Sequence, residues 1–457
     1  MKKDQMRYSA VCLGLVLSML GGIGNAQSLT DAMISAYRNS PQLKSEQAAL
    51  RSVDEGVAQA VGAIRPSLSM TASTGFIHSF RTDSTTRAAT LALSAQMVLW
   101  DGGTTKLAIE AARMNVVIGR ESLVDVEQSI LLNAATAFMN MRRDTQSLQL
   151  AENSGRVILR QVQAAKDRFE VGEVRRTDVS QAEARYAGAR STIALQQGTL
   201  EISRESYFVA TGTYPGALQP PPPLPKLPAT LEDAKSIAMR NHPAILRARH
   251  LAELAEINVF RAEAAMKPTI SISGNLGVNA NLITGDSASL SIGGNAPIYS
   301  GGQLTSAYRQ ALALREKSLS DIQLTGLQVT RNVTLYWSQL KIARASISAR
   351  QQEVNASRIA LRGIREEADL GARTTLDVLD AESETFAAET NLVTAIRDEN
   401  VAAYSLLSAM GLLTVQHLKL GIKTYDTNAN YKKVYLAPGP TNRGELLDKI
   451  FTRAGRK

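Results

Sequence analysis

Two stretches of the chain alternate between apolar and polar residues, and the clearer one lies between Pro268 and Gly302. Its apolar positions fall on one face, namely Ile270, Ile272, Leu276, Val278, Ala280 and Leu282, then Ala288, Leu290, Ile292, Ala296 and Ile298 on the return leg. A period of two predicts β-strands, and Thr284-Gly285-Asp286 is typical of a turn. The other face carries small serine and asparagine residues rather than lysine and glutamate. This composition favours a transmembrane hairpin between lipid and water, although a hairpin of a soluble β-sandwich also fits.

The same unit is present twice in the sequence. Residues 29–43 recur at 231–245, and the run from Trp100 to Gly103 recurs from Tyr299 to Gly302. The first half therefore has its own alternating hairpin, at about residues 67–100, to match the one at about 269–299. Two hairpins with one pattern strengthen the membrane interpretation. Trp100 and Tyr299 are then predicted at matching strand ends, where aromatic residues meet a membrane interface; the alternative is that they are core aromatics.

Long segments without proline follow each hairpin, at 104–170 and 303–369, and they are rich in good helix formers. At 1.5 Å per residue each would be a helix of about 100 Å. A second helix follows each, at 178–211 and 377–410. Each half thus reads as helix, hairpin, long helix and helix. Four strands cannot close a barrel, and open sheet edges are not tolerated in lipid, so closure needs several chains. Two chains would give eight strands with a nearly filled interior, whereas three would give twelve and leave a lumen.

The sequence also predicts where these units begin and end. Basic residues, a short apolar run and Gly24-Asn25-Ala26 are typical of a secretory signal peptide. The predicted boundaries are a signal peptide at 1–26, a first repeat at 27–214, a proline-rich linker at 215–228, a second repeat at 229–413 and a basic tail at 414–457. The net charge of the whole chain is +9, and the tail carries most of the excess. We expect this tail to be poorly ordered and dispensable for assembly.

No pattern of catalysis or cofactor binding stands out. The sequence lacks nucleophile-elbow, zinc-protease, phosphate-loop and dinucleotide motifs, and its four histidines have no metal-ligand spacing. The only cysteine, Cys12, lies in the predicted signal peptide. We therefore expect no catalytic residues, no cofactor and no metal, and an enzyme is not predicted. An exported protein is also not expected to bind nucleic acid.

These features resemble the TolC-like outer membrane factor family over nearly the whole mature chain, from Leu29 to about Leu413. The most specific parts are the two hairpins opened by proline, the exits Trp100 to Gly103 and Tyr299 to Gly302, and the segment from Gly371 to Asp380. The resemblance implies an α+β membrane protein that forms a homotrimer. Four β-strands per chain would build a 12-stranded transmembrane barrel in the outer membrane of a Gram-negative cell. A long α-helical barrel would continue it into the periplasm.

The resemblance also implies a function and its partners. The chain would be the exit channel of a tripartite efflux or type I secretion system, passively conducting drugs or secreted polypeptides. Its partners would be its own copies, a periplasmic adaptor protein, an inner-membrane transporter that is ABC-type or proton-driven, and outer membrane lipid. The sequence does not tell drug cargo from protein cargo.

Specific residues carry over from the family's gate segment. Gly172 and Gly371 match the gate-segment glycines, and Arg373 matches an arginine that latches to the first-half helix pair, here Asp178 and Thr177. Asp377 and Asp380 would form an acidic ring at the periplasmic entrance, which in three chains brings six carboxylates together. From the residues alone, the simpler interpretation is that both aspartates complement the dipole of a helix start. The sequence departs from the family at Ala368, where family members can carry a gate tyrosine.

Two other classes of protein compete with the channel. A soluble periplasmic coiled-coil adaptor also has long helical hairpins, but the alternating strands argue against it. A secreted polysaccharide-handling enzyme would need a carboxylate pair in a cleft, and the paired Glu366 and Glu367 lie in a helical context.

Overall fold

A computed structural model describes residues 27–279 and 285–435. The predicted signal peptide, the predicted alternation at Ala280 and Leu282, and the final part of the basic tail lie outside the described residues.

The chain contains two copies of one run of elements. The first copy comprises α1 (Leu29–Asn39), α2 (Pro41–Gly62), β1 (Ser67–Ser79), β2 (Ser84–Trp100), α3 (Thr104–Glu170) and α4 (Arg176–Thr211). The second comprises α5 (Leu231–Asn241), α6 (Pro243–Ala264), β3 (Thr269–Asn279), β4 (Ser287–Asn295), α7 (Gln303–Asp369) and α8 (Thr375–Ala409), and a short α9 (Thr427–Val434) follows. The predicted α+β fold class with an internal repeat is confirmed.

The helix starts follow from residues that satisfy the free N–H groups of a first turn. Ser28 and Asp31 form a reciprocal capping box at the start of α1. Pro243 is the first residue of α6, where its missing N–H costs nothing. Asp101 opens α3, because its carboxylate accepts from the N–H groups of Gly103 at 3.1 Å and Thr105 at 2.7 Å. These local signals account for where α1, α3 and α6 begin.

The described residues form two compact units. One contains residues 27–41, 127–235 and 332–422, and is helical. Its core is built mainly from leucine, alanine and aromatic side chains such as Phe138 and Tyr207. Burial raises the pKa of Tyr207 to about 12, and its hydroxyl donates to Gln27 at 3.1 Å. The other unit contains residues 42–126, 236–331 and those from 423 onward, and it holds the sheet.

The sheet is antiparallel, with its strands in the order β1-β2-β3-β4. Its register aligns the alternating residues of all four strands into rows across the sheet. Apolar rows are Leu68–Ala95–Gly274–Leu290 and Met70–Leu93–Leu276–Ala288, and polar rows are Ser67–Gln96–Ser273–Ser291 and Ser69–Ser94–Asn275–Ser289. Hydroxyl pairs join neighbouring strands on the polar face, as between Ser273 and Ser291 at 2.9 Å. The sheet therefore has one apolar face and one face of small polar residues, and within the described chain β1 and β4 are its open edges.

Two predictions are wrong, one about the end of a strand and one about the C-terminal tail. Tyr299 does not end a strand, because β4 finishes at Asn295, opposite Thr269, the first residue of β3, and Pro297 beyond it has no N–H to pair. The tail is not structureless throughout, because α9 packs against α2 and α3. Asn430 donates to Asp54 at 3.0 Å, and the Arg120 guanidinium lies 5.4 Å from the Tyr431 ring centroid while donating to Asn428 at 2.9 Å.

No described helix has an apolar run long enough to pass through a bilayer.

Candidate functional site

The candidate gate residues lie at the two turns that reverse the chain between paired helices of the helical unit. In the first turn, between α3 and α4, Gly172 has a φ of +79°. Its N–H donates to the Phe169 carbonyl at 3.0 Å, and the Glu173 N–H donates to the Arg168 carbonyl at 2.9 Å. These two hydrogen bonds, formed around a glycine in the left-handed conformation, end α3 and reverse the direction of the chain.

The second turn, between α7 and α8, repeats this geometry. Gly371 has a φ of +80°, its N–H donates to the Ala368 carbonyl at 3.0 Å, and the Ala372 N–H donates to Glu367 at 2.9 Å. A Cβ at either glycine would meet no atom within 4 Å. Glycine is therefore favoured at both turns by backbone conformation and not by lack of space.

The helix starts beyond the two turns are capped differently. At α8, the Thr374 hydroxyl accepts from the Asp377 N–H at 3.2 Å, while the Asp377 carboxylate accepts from the Thr374 N–H at 2.9 Å and from its hydroxyl at 2.8 Å. The bond from the Thr374 backbone, followed by that from its side chain, lowers the pKa of Asp377. At α4 only one side of this reciprocal capping box is present. Asp178 accepts from the Arg175 N–H at 3.1 Å, but arginine offers no side-chain acceptor in return.

Arg373 is paired inside its own chain. Its Nε donates to Glu367 at 2.8 Å, and this hydrogen bond, together with the charge of Glu367, raises the pKa of Arg373. Both side chains are exposed. Thr177 is also exposed, and Asp178 is half-buried at the start of α4. The latch from Arg373 to Asp178 and Thr177 involves a neighbouring chain and stays a prediction, but the structure adds Glu367 as the partner that sequence reasoning missed.

The two aspartates of the predicted acidic ring have separate partners. Asp377 belongs to the cap of α8, whereas Asp380 accepts from Arg185 of α4 at 2.6 Å. Sequence reasoning anticipated the capping role but missed Arg185. The only feature of the sequence that points to Arg185 is its position in the helix that follows the first turn. The Arg185–Asp380 pair joins the second helices of both copies near their turns.

A small apolar cluster supports this end of the helical unit. It consists of Ile158, Val162, Ala165, Ala182 and Leu379, with Val179, Tyr186 and Ala189 packed against it. Ala368, at the position where the family can place a tyrosine, is buried. In contrast, Val171 and Leu370 at the two turns are 71% and 86% exposed. The two turns therefore lie next to a packed apolar cluster, and Val171 and Leu370 are exposed to solvent.

The predicted interface aromatics lie in the sheet unit. Trp100 is the last residue of β2 and is 47% exposed, and Tyr299 follows β4 and is 90% exposed. Exposure of both rings is what an interfacial role requires, since a core role would bury them. Among the described residues, no group of histidine, cysteine, aspartate and glutamate is arranged to hold a metal ion.

Comparisons with known proteins agree on one family. The sequence model described as "Outer membrane efflux protein" matches residues 34–213 and 235–412, one match in each half of the chain. The chain is 32% identical over 437 residues to the outer membrane efflux protein BepC of Brucella suis, covering 94% of this chain and 95% of that protein. It is 24% identical over 445 residues to the outer membrane protein TolC of Vibrio cholerae, covering 94% and 99%.

Solved structures share the fold. A crystal structure of CusC superposes with a TM-score of 0.75 at 22% identity, covering 84% of this chain and 92% of that one. The CmeC outer membrane channel of Campylobacter jejuni superposes with a TM-score of 0.74 at 15% identity, covering 89% of each chain.

Proposed function

The chain belongs to the outer membrane efflux protein family, and on that premise we propose that three copies form an outer membrane exit channel. The observation that carries the proposal is the sheet: it has one apolar face, one face of small polar residues, and open edges at β1 and β4. Unpaired backbone groups are not tolerated in lipid, so the edges must pair with those of other chains. Three chains supply twelve strands, which enclose a water-filled lumen lined by the serine and asparagine rows.

The relatives are outer membrane proteins by name, and the alternative of a soluble periplasmic adaptor loses its support. In our proposal the helical unit lies in the periplasm, and an adaptor and an inner-membrane transporter bind at its end. The exposed Val171 and Leu370 give an adaptor an apolar contact there. In the same proposal the channel is passive, and the inner-membrane transporter supplies the energy.

We place the gate at the two turns. In this proposal Arg373 exchanges its own-chain partner Glu367 for Asp178 of the neighbouring chain when the channel closes. Asp377 and Asp380 then line the periplasmic entrance, where three chains concentrate negative charge that attracts cations. A single exposed ion pair is weak, but three identical pairs act on one ring of helices. Loss of the latch therefore shifts the population toward the open state without unfolding the protein.

Single-channel recording of the purified protein in planar lipid bilayers tests the proposal. Arg373→Ala and Asp178→Ala should each raise the conductance above that of the wild type. Glu367→Gln is the matched control: it removes the competing partner of Arg373 and leaves the latch intact, so its conductance should not rise. Absence of any conductance in the wild type would contradict the channel, whereas equal conductance in all variants would place the gate elsewhere.

A further inference from the structure

The apolar face of the first hairpin ends in an arginine. Phe76 on β1 lies directly opposite Arg87 on β2, so both side chains belong to the apolar face. The Arg87 guanidinium lies 6.0 Å from the centroid of the Phe76 ring, and both residues are exposed. A charge on a lipid-facing surface is costly at mid-membrane, but the cost nearly disappears at the level of the headgroups. A guanidinium resting on an exposed ring keeps its N–H donors available to a ligand.

A second arginine lies at the same tip. Arg81 is exposed in the turn between β1 and β2, one residue after Phe80, which is 92% exposed and packs edge-on against His78 at 4.8 Å. The acid of the turn, Asp83, is 97% exposed, and its Oδ1 lies 3.7 Å from Nε2 of His78. Neither Arg81 nor Arg87 forms an ion pair with any carboxylate in the described part of the chain. The tip therefore presents two cationic groups, two exposed rings and a single acid, and its arginines outnumber that acid.

The length of β2 places this tip at the far side of a bilayer from Trp100. The strand distance between Trp100 and Arg87 is about 44 Å, at about 3.4 Å per residue. With a strand tilt of about 40°, this corresponds to a height of about 34 Å. The hydrocarbon core of a bilayer is about 30 Å thick. When Trp100 lies at one interface, Arg87 lies among the headgroups of the opposite leaflet. Arg81 lies about 10 Å further out in the turn, and its long side chain approaches the headgroups from the water side.

We propose that the tip of the first hairpin, residues 76–87, binds the phosphate groups of anionic lipids in the outer leaflet, with Arg87 and Arg81 as the phosphate ligands and Phe76 packed against the acyl chains. The proposal rests on the outer membrane channel proposed above. Guanidinium groups suit phosphate because they donate two parallel hydrogen bonds. The second hairpin offers no equivalent site, since residues 279–286 contain no lysine or arginine.

Native mass spectrometry of the detergent-solubilised protein tests this site with diphosphorylated lipid A as the probe. The wild type should retain the lipid, and Arg81→Gln combined with Arg87→Gln should weaken its retention about tenfold or more, as expected for loss of charge-assisted hydrogen bonds. Arg51→Gln combined with Arg113→Gln is the matched control, because both arginines are exposed on helices of the same unit, away from the sheet. The control should retain the lipid like the wild type.

Two further arms identify the ligand. Dephosphorylated lipid A should bind weakly to the wild type, and inorganic phosphate should not displace diphosphorylated lipid A. Equal retention by the tip variant and the control, equal binding of the dephosphorylated lipid, or displacement by inorganic phosphate would each overturn the proposal. The tip variant should still conduct in phosphatidylcholine bilayers, so loss of lipid binding with normal conductance separates failure of this site from failure of the channel.

Discussion

The two helical turns have the same backbone and different electrostatics. Gly172 and Gly371 adopt nearly the same φ and close the same pair of hydrogen bonds. The second turn adds a threonine cap and an arginine held by Glu367, whereas the first has arginine at the capping position and no side-chain cap. Backbone reversal therefore requires little more than a glycine at the end of a helix. The residues around that glycine differ between the copies: the threonine cap and the Arg373–Glu367 pair belong to the second turn.

Some pairings are shared by both copies. Lys166 pairs with Glu183 at 2.7 Å in the first copy, and Arg365 pairs with Glu382 at 2.6 Å at the matching positions of the second. These pairs join the two helices of each helical hairpin. Glu382 is much more buried than Glu183, so the second pair is better shielded from water and salt.

The copies also differ at the position of Asp54. Helix α9 docks on α2 of the first copy through the buried Asp54. The matching position on α6 of the second copy is Glu256, which is exposed. Among the described residues, the buried carboxylate that anchors α9 therefore belongs to the first copy.

The largest expected effect tests whether the two hairpins share one orientation. Met70→Arg in the first hairpin and Leu290→Arg in the second place a charge on the apolar face, at a cost of about 2–4 kcal/mol in mid-membrane. Ser69→Arg and Ser291→Arg are the neighbouring controls on the polar face and should assemble. The yield of folded oligomer in outer membrane extracts measures this. If the serine variants fail and the others assemble, the lipid-facing side has been assigned to the wrong face.

The next effect concerns the contact between α9 and Asp54 of the first copy. Asn430→Ala leaves the buried Asp54 without its hydrogen bond, because its other oxygen, Oδ1, has no partner among the described residues. We expect a loss of about 1–3 kcal/mol, the usual cost of an unsatisfied buried group. Thermal unfolding of the purified protein measures it. Asn428→Ala breaks an exposed bond to Arg120 and should cost less; an equal loss in both variants would show that Asp54 does not anchor the tail.

A smaller effect separates the caps of the two turns. Thr374→Ala removes a side-chain cap of α8 and should cost about 1 kcal/mol. Arg175→Ala occupies the matching position of α4, where no side-chain cap exists, and should change stability little. Hydrogen exchange of the first turn of each helix reports both effects. A larger loss of protection in Arg175→Ala than in Thr374→Ala would reverse the comparison.

The smallest effect is a pH dependence confined to the second turn. The pKa of Asp377 is lowered in the folded chain, so its charged form stabilises the start of α8. That stabilisation is present above about pH 4, the range of an unfolded aspartate, and is lost as the pH falls through the lower folded-state pKa. Asp377→Asn should therefore reduce exchange protection of this turn at neutral pH and match the wild type at strongly acidic pH, after correction for intrinsic exchange. A difference that persists in acid would mean that the charge is not responsible.

The sequence could predict what depends on periodicity and on turn residues. Alternation in the hairpins, the repeat and the two long helices all follow from local patterns, and the structure confirms the fold they imply. It could not predict partners that depend on how helices are rotated against each other. Two such partners are Glu367, which pairs with Arg373, and Arg185, which pairs with Asp380.

The C-terminal tail shows a second limit of prediction from sequence. Its many charges suggested disorder, yet α9 is an eight-residue helix. So short a helix has little intrinsic stability in water and depends on tertiary contacts. The contacts that Asn430 and Tyr431 make with α2 and α3 are not visible in composition.

Closure of the sheet between chains is the central claim, and disulfide cross-linking tests it most directly. Because Cys12 lies in the predicted signal peptide, the mature chain should have no cysteine of its own. Cysteines would replace Ser67, Ser69 or Thr71 on β1, each combined with one replacing Ser289 or Ser291 on β4.

Within one chain β1 and β4 are separated by two strands, so these positions are about 14 Å apart. A disulfide needs Cα atoms within about 7 Å, which excludes a bond inside a flat copy of the sheet. The account predicts that at least one pair gives covalent dimers and trimers on a non-reducing gel, while each single-cysteine variant gives neither trimers nor higher species. Cross-linking within a monomer, or no cross-linking by any pair, would contradict it.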